Sequence, residues 1–112
     1  MTSFFVLSRP PEGIGDEQYT EWYDIHHREV LELPGFASAQ RFPLVRYRGG
    51  GGGDATPGFR FLVRYHIDGA VEDALAALRA AVDGGHMTFP DWYDGVQSAG
   101  FVGGEPVDFP DR

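Results

Sequence analysis

Phe59-Arg60-Phe61-Leu62-Val63-Arg64-Tyr65-His66-Ile67 alternates in character from residue to residue. Phe59, Phe61, Val63, Tyr65 and Ile67 fall on one face, and Arg60, Leu62, Arg64 and His66 on the other, which is the period of a strand. Downstream the period changes. Val71, Ala74, Leu75, Leu78 and Ala81 recur at three and four, predicting a helix over Val71 to Val82 that Gly84-Gly85 stops. Upstream, Arg48 to Gly58 is dominated by glycine and reads as a flexible hairpin loop back to a strand over Phe36 to Tyr47.

Moving further out, Asp16 is expected to cap a helix reaching about Leu33, with Glu17 in its first turn and Pro34-Gly35 ending it. Its apolar stripe is Tyr19, Trp22, Tyr23, His26, Val30 and Leu33. Ser3 to Ser8 is a short apolar strand broken by Pro10-Pro11. After the second helix, His86 to Gly95 is irregular and aromatic, Gln97 to Val102 reads as a last strand, and residues 103–112 as a tail with two prolines. The order is β-α-β-β-α-β, a ferredoxin-like α+β sandwich with a four-stranded antiparallel sheet and both helices on one face. The bare face needs a cover, and a second copy of the sheet supplies one. The expectation is a homodimer of the dimeric α/β-barrel type, each chain a single domain over 1–112.

With 112 residues the chain is too short for two cores, and its net charge of −8 repels phosphate backbones and anionic membranes alike. There are no cysteines, which removes disulfides, thiolate metal sites and a thiol nucleophile. The start of the chain lacks a signal sequence, and no apolar run reaches transmembrane length, so a cytoplasmic protein is expected. The four histidines show no zinc spacing, and the glycine run lacks the Lys-Ser or Lys-Thr of a phosphate loop. No metal or cofactor is expected.

Glu21-Trp22-Tyr23-Asp24-Ile25-His26-His27-Arg28-Glu29-Val30-Leu31-Glu32-Leu33-Pro34-Gly35-Phe36-Ala37-Ser38-Ala39-Gln40-Arg41-Phe42 resembles the signature of the EthD-like branch of the dimeric α/β-barrel superfamily. That signature is a Trp-Tyr-Asp, a histidine shortly after, an acidic residue one turn on, then Pro-Gly-Phe and a strand carrying a basic residue. Phe61 to Ile67, the Ala-Leu helix and Gly84-Gly85-His86-Met87 resemble these proteins too. The resemblance implies a dimer without cofactor. Its members include proteins of alkyl-ether degradation, polyketide cyclases, decarboxylases and cofactor-free oxygenases, so it says little of the reaction. The family histidine follows its Asp by three residues, which is His27; counting back from Pro34-Gly35-Phe36 lands on His26. The helical stripe favours His26, the residue expected to point at the sheet.

On an apolar face, His26 is either a core histidine bonded to backbone or a functional imidazole. Tyr19, Trp22 and Tyr23 around it would keep it neutral and able to take a proton from an acidic C–H or a phenol. Asp24 pairs best with His27, and Glu29 shares a face with His26. Arg64 and Arg41 either hold an enolate or carboxylate or face solvent. His66 shares the face of Arg64. His86, Trp92 and Tyr93 form either a pocket wall or a plug at one end of the barrel. The leading expectation is a small cofactor-independent enzyme of lyase, isomerase or cyclase type, acting on a hydrophobic aromatic or polyketide-like carbonyl compound. His26 or His27 serves as base, Tyr23 or Tyr65 bonds the substrate oxygen, Arg64 steadies the anion, and Tyr19, Trp22, Arg41, His66, His86 and Trp92 line the site. The alternatives are a non-catalytic ligand-binding or stress-associated dimer, and a cofactor-free oxygenase.

Overall fold

A computed structural model describes residues 2–45 and 58–110. The glycine-rich stretch expected as a hairpin loop lies outside the described residues apart from Gly58, as do Arg46 and Tyr47 of the expected second strand. The elements run β1 (Thr2–Arg9), α1 (Asp16–Leu31), β2 (Phe36–Pro43), β3 (Phe61–Ile67), α2 (Val71–Asp83) and β4 (Gln97–Gly103), with one 3-10 turn at Tyr93–Gly95. The strands form one antiparallel sheet in the order β2-β3-β1-β4. The ferredoxin-like order read from the sequence is the order observed.

β3 is central, and its alternation is literal. Phe61, Val63, Tyr65 and Ile67 are buried while Leu62, Arg64 and His66 are half-buried. The buried set faces the helices, together with Phe4, Val6 and Ser8 of β1. α1 lays Tyr19, Trp22, Tyr23 and Val30 on this face, and α2 adds Ala74 and Ala81. Asp16 does not cap α1. Gly15 occupies that position, and Asp16 opens the helix with its carboxylate 2.6 Å from the Arg60 guanidinium.

Register places Phe5 and Leu7 of β1, Phe42 of β2, Leu62 of β3 and Phe101 of β4 on the opposite face. No helix among the described residues covers that face, and Phe42 and Phe101 remain 43% and 54% exposed. No helix is long and apolar enough to cross a membrane among the described residues.

The join between α1 and β2 depends on Gly35. Its φ is +92°, and a Cβ there would meet the Ala74 Cβ at 2.9 Å. Gly35→Ala is expected to destabilise the fold by about 2 kcal/mol, from the left-handed backbone and the overpacking together. Urea unfolding checks this, and a loss below about 0.5 kcal/mol would mean that α2 does not close on this turn as described.

Candidate functional site

Three polar groups tie α1 to the sheet. The Tyr19 hydroxyl donates to Ser8 Oγ at 2.9 Å, and Ser8 Oγ donates on to the Tyr23 hydroxyl at 3.4 Å. The third is His27, whose Nδ1 lies 2.8 Å from the Tyr65 hydroxyl. The His27 ring also lies 4.1 Å from that of Tyr23. His27, not His26, therefore meets the sheet.

His26 turns the other way. Its ring stacks on Trp22 at 5.0 Å and lies 6.1 Å from Phe89. The reason is that α1 packs against two surfaces rather than one. The sheet covers the side of Tyr19, Tyr23 and His27. The irregular segment 86–96 covers the side of Trp22 and His26, with Trp92 edge-on to Trp22 at 5.6 Å and Tyr93 at 5.3 Å. The apolar stripe is centred between the two surfaces. A residue near its middle, His26, goes to the segment, and one at its margin, His27, goes to Tyr65.

Thr88 adds hydrogen bonds between the segment and α1 to these ring contacts. Thr88 donates its backbone N–H and its hydroxyl to the two Glu29 carboxylate oxygens, each at 2.9 Å, and its carbonyl accepts from Trp22 Nε1 at 2.8 Å. The sequence reading left Thr88 out, because a threonine in an irregular stretch has no periodicity to mark it.

Arg41 reaches the site from β2. Its guanidinium lies 5.7 Å from the Tyr23 ring centre, and Nη1 is 2.7 Å from Asp24 Oδ1. The two charges are in contact, yet neither Nη1 hydrogen is aimed at the carboxylate, and Nη1 is left buried without a hydrogen bond. Asp24 thus pairs with Arg41 rather than with His27 alone. His26 Nδ1 and His27 Nε2 are buried without a hydrogen-bond partner among the described residues.

Burial sets the charge of these groups. It pushes His27 down to about 3, with His26 and Arg41 adding to the effect and Asp24 opposing it. It pushes His26 down to about 4 against the pull of Glu29. Both imidazoles are neutral at pH 7. Burial raises the Tyr65 hydroxyl, chiefly, and Tyr23 and Tyr19 nearby add to it, so it keeps its proton.

Arg64 stands apart from this cluster. It neighbours Tyr65 on one strand, and adjacent strand residues point to opposite faces. On the open face its Nε donates to Ser3 Oγ at 3.1 Å and its guanidinium lies over Phe5. His66 shares that face. His86 is exposed beyond the end of α2 beside Gly84. Neither has a hydrogen bond, ion pair or ring contact with His26 or His27 among the described residues. An open cleft of about 430 Å³, lined by Phe4, Leu75, Leu78, Arg79, Val82 and Asp83, borders the site only through Phe4, whose ring stacks on Tyr65 at 6.3 Å. No three His, Asp or Glu side chains converge as a metal would need among the described residues.

No protein-family model and no curated protein matches the chain. Solved structures do. A candidate monooxygenase from Shewanella loihica superposes with a TM-score of 0.65 at 11% identity, over 96% of this chain and 95% of its own. A dimeric ferredoxin-like protein of unknown function from Jannaschia sp. superposes with a TM-score of 0.51 at 17% identity, over 90% of this chain and 98% of its own. The fold is ferredoxin-like. An ethyl tert-butyl ether (EthD) family protein from Bacillus halodurans also matches, at 13% identity and a TM-score of 0.49, over 95% of this chain and 100% of its own. In this ferredoxin-like chain the histidine three residues after Asp24 is the one bonded to the sheet.

Proposed function

We propose that the chain is a small enzyme that moves a proton on a hydrophobic carbonyl compound, without a cofactor, with His26, His27, Tyr65 and Arg41 as its working groups. The observation that carries this reading is that His26 Nδ1 and His27 Nε2 are buried with no hydrogen-bond partner among the described residues, close to the Arg41 guanidinium that Asp24 holds in an ion pair. Buried polar atoms normally find partners, and two unpartnered imidazole nitrogens in one aromatic cluster are bonds that a ligand would complete. The rings of Tyr23, Trp22 and Phe89 make the surroundings of the two imidazoles apolar.

In the reaction, one imidazole takes a proton from carbon next to the carbonyl, and the C–H electron pair moves into the π system as charge builds on oxygen. Returning the proton at another atom isomerises the substrate, and giving it to a departing β-hydroxyl, which leaves as water, dehydrates it. In a β-keto acid the C–C bond to the carboxylate breaks instead, CO2 leaving and the pair forming the same enolate, which then takes up a proton. Neutral imidazoles suit this work, since a protonated one cannot accept. The open face of the sheet, with Phe42 and Phe101 exposed, supports a homodimer as the working form. The likeness to a dimeric ferredoxin-like protein agrees with it.

Exchange of α-protons in D2O, followed by proton NMR with pentane-2,4-dione and acetophenone as probes, tests the reading. The protein is expected to speed exchange of at least one probe. The His26→Gln/His27→Gln double variant is expected to lose about a hundredfold or more of that rate. Exchange at an unchanged rate in a folded double variant sinks the proposal.

A further inference from the structure

The proposed chemistry makes an unusual demand on its bases. Imidazoles pushed down to about 4 and about 3 are weak, and a weak base takes a proton from carbon only if the anion left behind is strongly held. The hydrogen count at Tyr65 and His27 indicates where that anion sits.

The Tyr65 hydroxyl oxygen has one hydrogen-bond partner among the described residues, His27 Nδ1. The bond can run in either direction. If His27 donates, the Tyr65 proton has no acceptor, and the Nε2 lone pair has no donor: two buried orphans. If Tyr65 donates, its proton is used, Nδ1 is satisfied, and the single orphan is an Nε2–H. Each buried orphan costs about 1–3 kcal/mol, so the second arrangement is preferred. His27 then offers a hydrogen, not a lone pair. Arg41 Nη1 offers another: it is buried and in ion-pair contact with Asp24 at 2.7 Å, but neither of its hydrogens makes a hydrogen bond among the described residues. Both groups lie against the same ring, Tyr23, with His27 at 4.1 Å and Arg41 at 5.7 Å. Register agrees: Ala39 pairs with Tyr65 and Arg41 with Val63, so Arg41 and Tyr65 stand on one face of adjacent strands, diagonal to each other.

We infer that His27 Nε2–H and Arg41 Nη1–H form a two-donor cradle for the oxygen of an enolate or phenolate, with Tyr65 fixing the His27 tautomer. The inference rests on the reading of this site as a proton-transfer site and divides its labour. His27 and Arg41 hold the oxygen, and His26, whose ring lies 6.1 Å from that of His27 and whose Nδ1 has no hydrogen-bond partner among the described residues, remains as the base. Tyr65 is a positioning residue, acting through His27. The ligand arrives neutral, because a chain of net charge −8 repels anions from a distance, and gains its charge in the cradle.

Two measurements test this, both on the full chain. In the first, long-range proton–nitrogen correlation spectra of the 15N-labelled protein at neutral pH report which His27 nitrogen bears hydrogen. Nε2–H is expected, moving towards a mixture of tautomers in Tyr65→Phe. An Nδ1–H pattern in the unaltered protein overturns the cradle, and this arm needs no variant to fold. In the second, 4-nitrophenol is the probe, since its absorbance separates phenol from phenolate. Bound probe is expected to be phenolate at a pH where free probe is mostly phenol, and Arg41→Met is expected to weaken its binding about tenfold or more. Binding as neutral phenol, or equal binding by a folded Arg41→Met variant, overturns the cradle. If the cradle fails while the double histidine variant still loses proton exchange, the proton-transfer reading stands without it. If phenolate binds as expected but no probe exchanges protons, the cradle stands as a ligand site and the enzyme reading falls.

Discussion

Acidification from pH 7 to about 5 is expected to remove about 2 kcal/mol of folding stability, more than surface histidines would take. His26 and His27 are depressed to about 4 and about 3 in the folded chain, against about 6.5 when unfolded. Below pH 6.5 the unfolded chain therefore binds more protons than the folded one, and stability falls as pH falls through that window. Above it, the contribution is full and flat. Two histidines titrating only in the unfolded state give at most about 2.7 kcal/mol per pH unit, and the part-exposed rings reduce that figure. The groups facing them act in opposite directions. Glu29 favours the charged form of His26 and Asp24 that of His27, while Arg41 opposes protonation of His27, but burial outweighs them all. Urea midpoints measured between pH 7 and about 5 keep clear of most carboxylate titration. A midpoint that does not move, or the same slope in the His26→Gln/His27→Gln variant, would show that the imidazoles are open to water.

Tyr19→Ala should cost about 3–5 kcal/mol, enough to threaten the fold of a domain this small. Tyr19 is 1% exposed, and its ring touches those of Trp22, Tyr23, Phe61 and Trp92 at 5.0 to 6.0 Å. It joins β3, α1 and the irregular segment in one contact. Removing it leaves a cavity on all three sides, and Ser8 Oγ loses its donor. Tyr19→Phe separates the two parts. It keeps the ring and removes only the hydroxyl, at about 1 kcal/mol. Thermal unfolding of the pair is the check. A Tyr19→Ala variant that unfolds within about 3 °C of the unaltered chain would mean that the helix is not seated on Tyr19.

The strands and helices were legible because each shows its period within a few residues. Phe61 to Ile67 alternates without a break, and α2 keeps its stripe from Val71 to Ala81. The site was less legible, for two local reasons. The first is the second surface under α1: segment 86–96 has no period, so nothing in its sequence announces that it will take Trp22 and His26 while the sheet takes His27. The second is a bulge. Counting by twos from the buried Phe36 sends Arg41 to the open face, but the register shifts between Phe36 and Ser38, and the extra residue returns Arg41 to the helix side. Arg64, in a strand without a bulge, follows the simple count and faces away from Tyr65. That count alone was enough to see that Arg64 and Tyr65 do not share a site.

Thr88 is exposed and lies in a stretch with no regular structure, the kind of position where nearly any residue is usually tolerated. Here its amide, hydroxyl and carbonyl are each committed to α1. The amide and carbonyl bonds survive any replacement except proline at the amide, but the hydroxyl bond needs Ser or Thr. Substitution freedom at this position is accordingly set by hydrogen-bond valence rather than by solvent access. In an evolving or redesigned relative of this chain that keeps Glu29, residue 88 is expected to stay Thr or Ser.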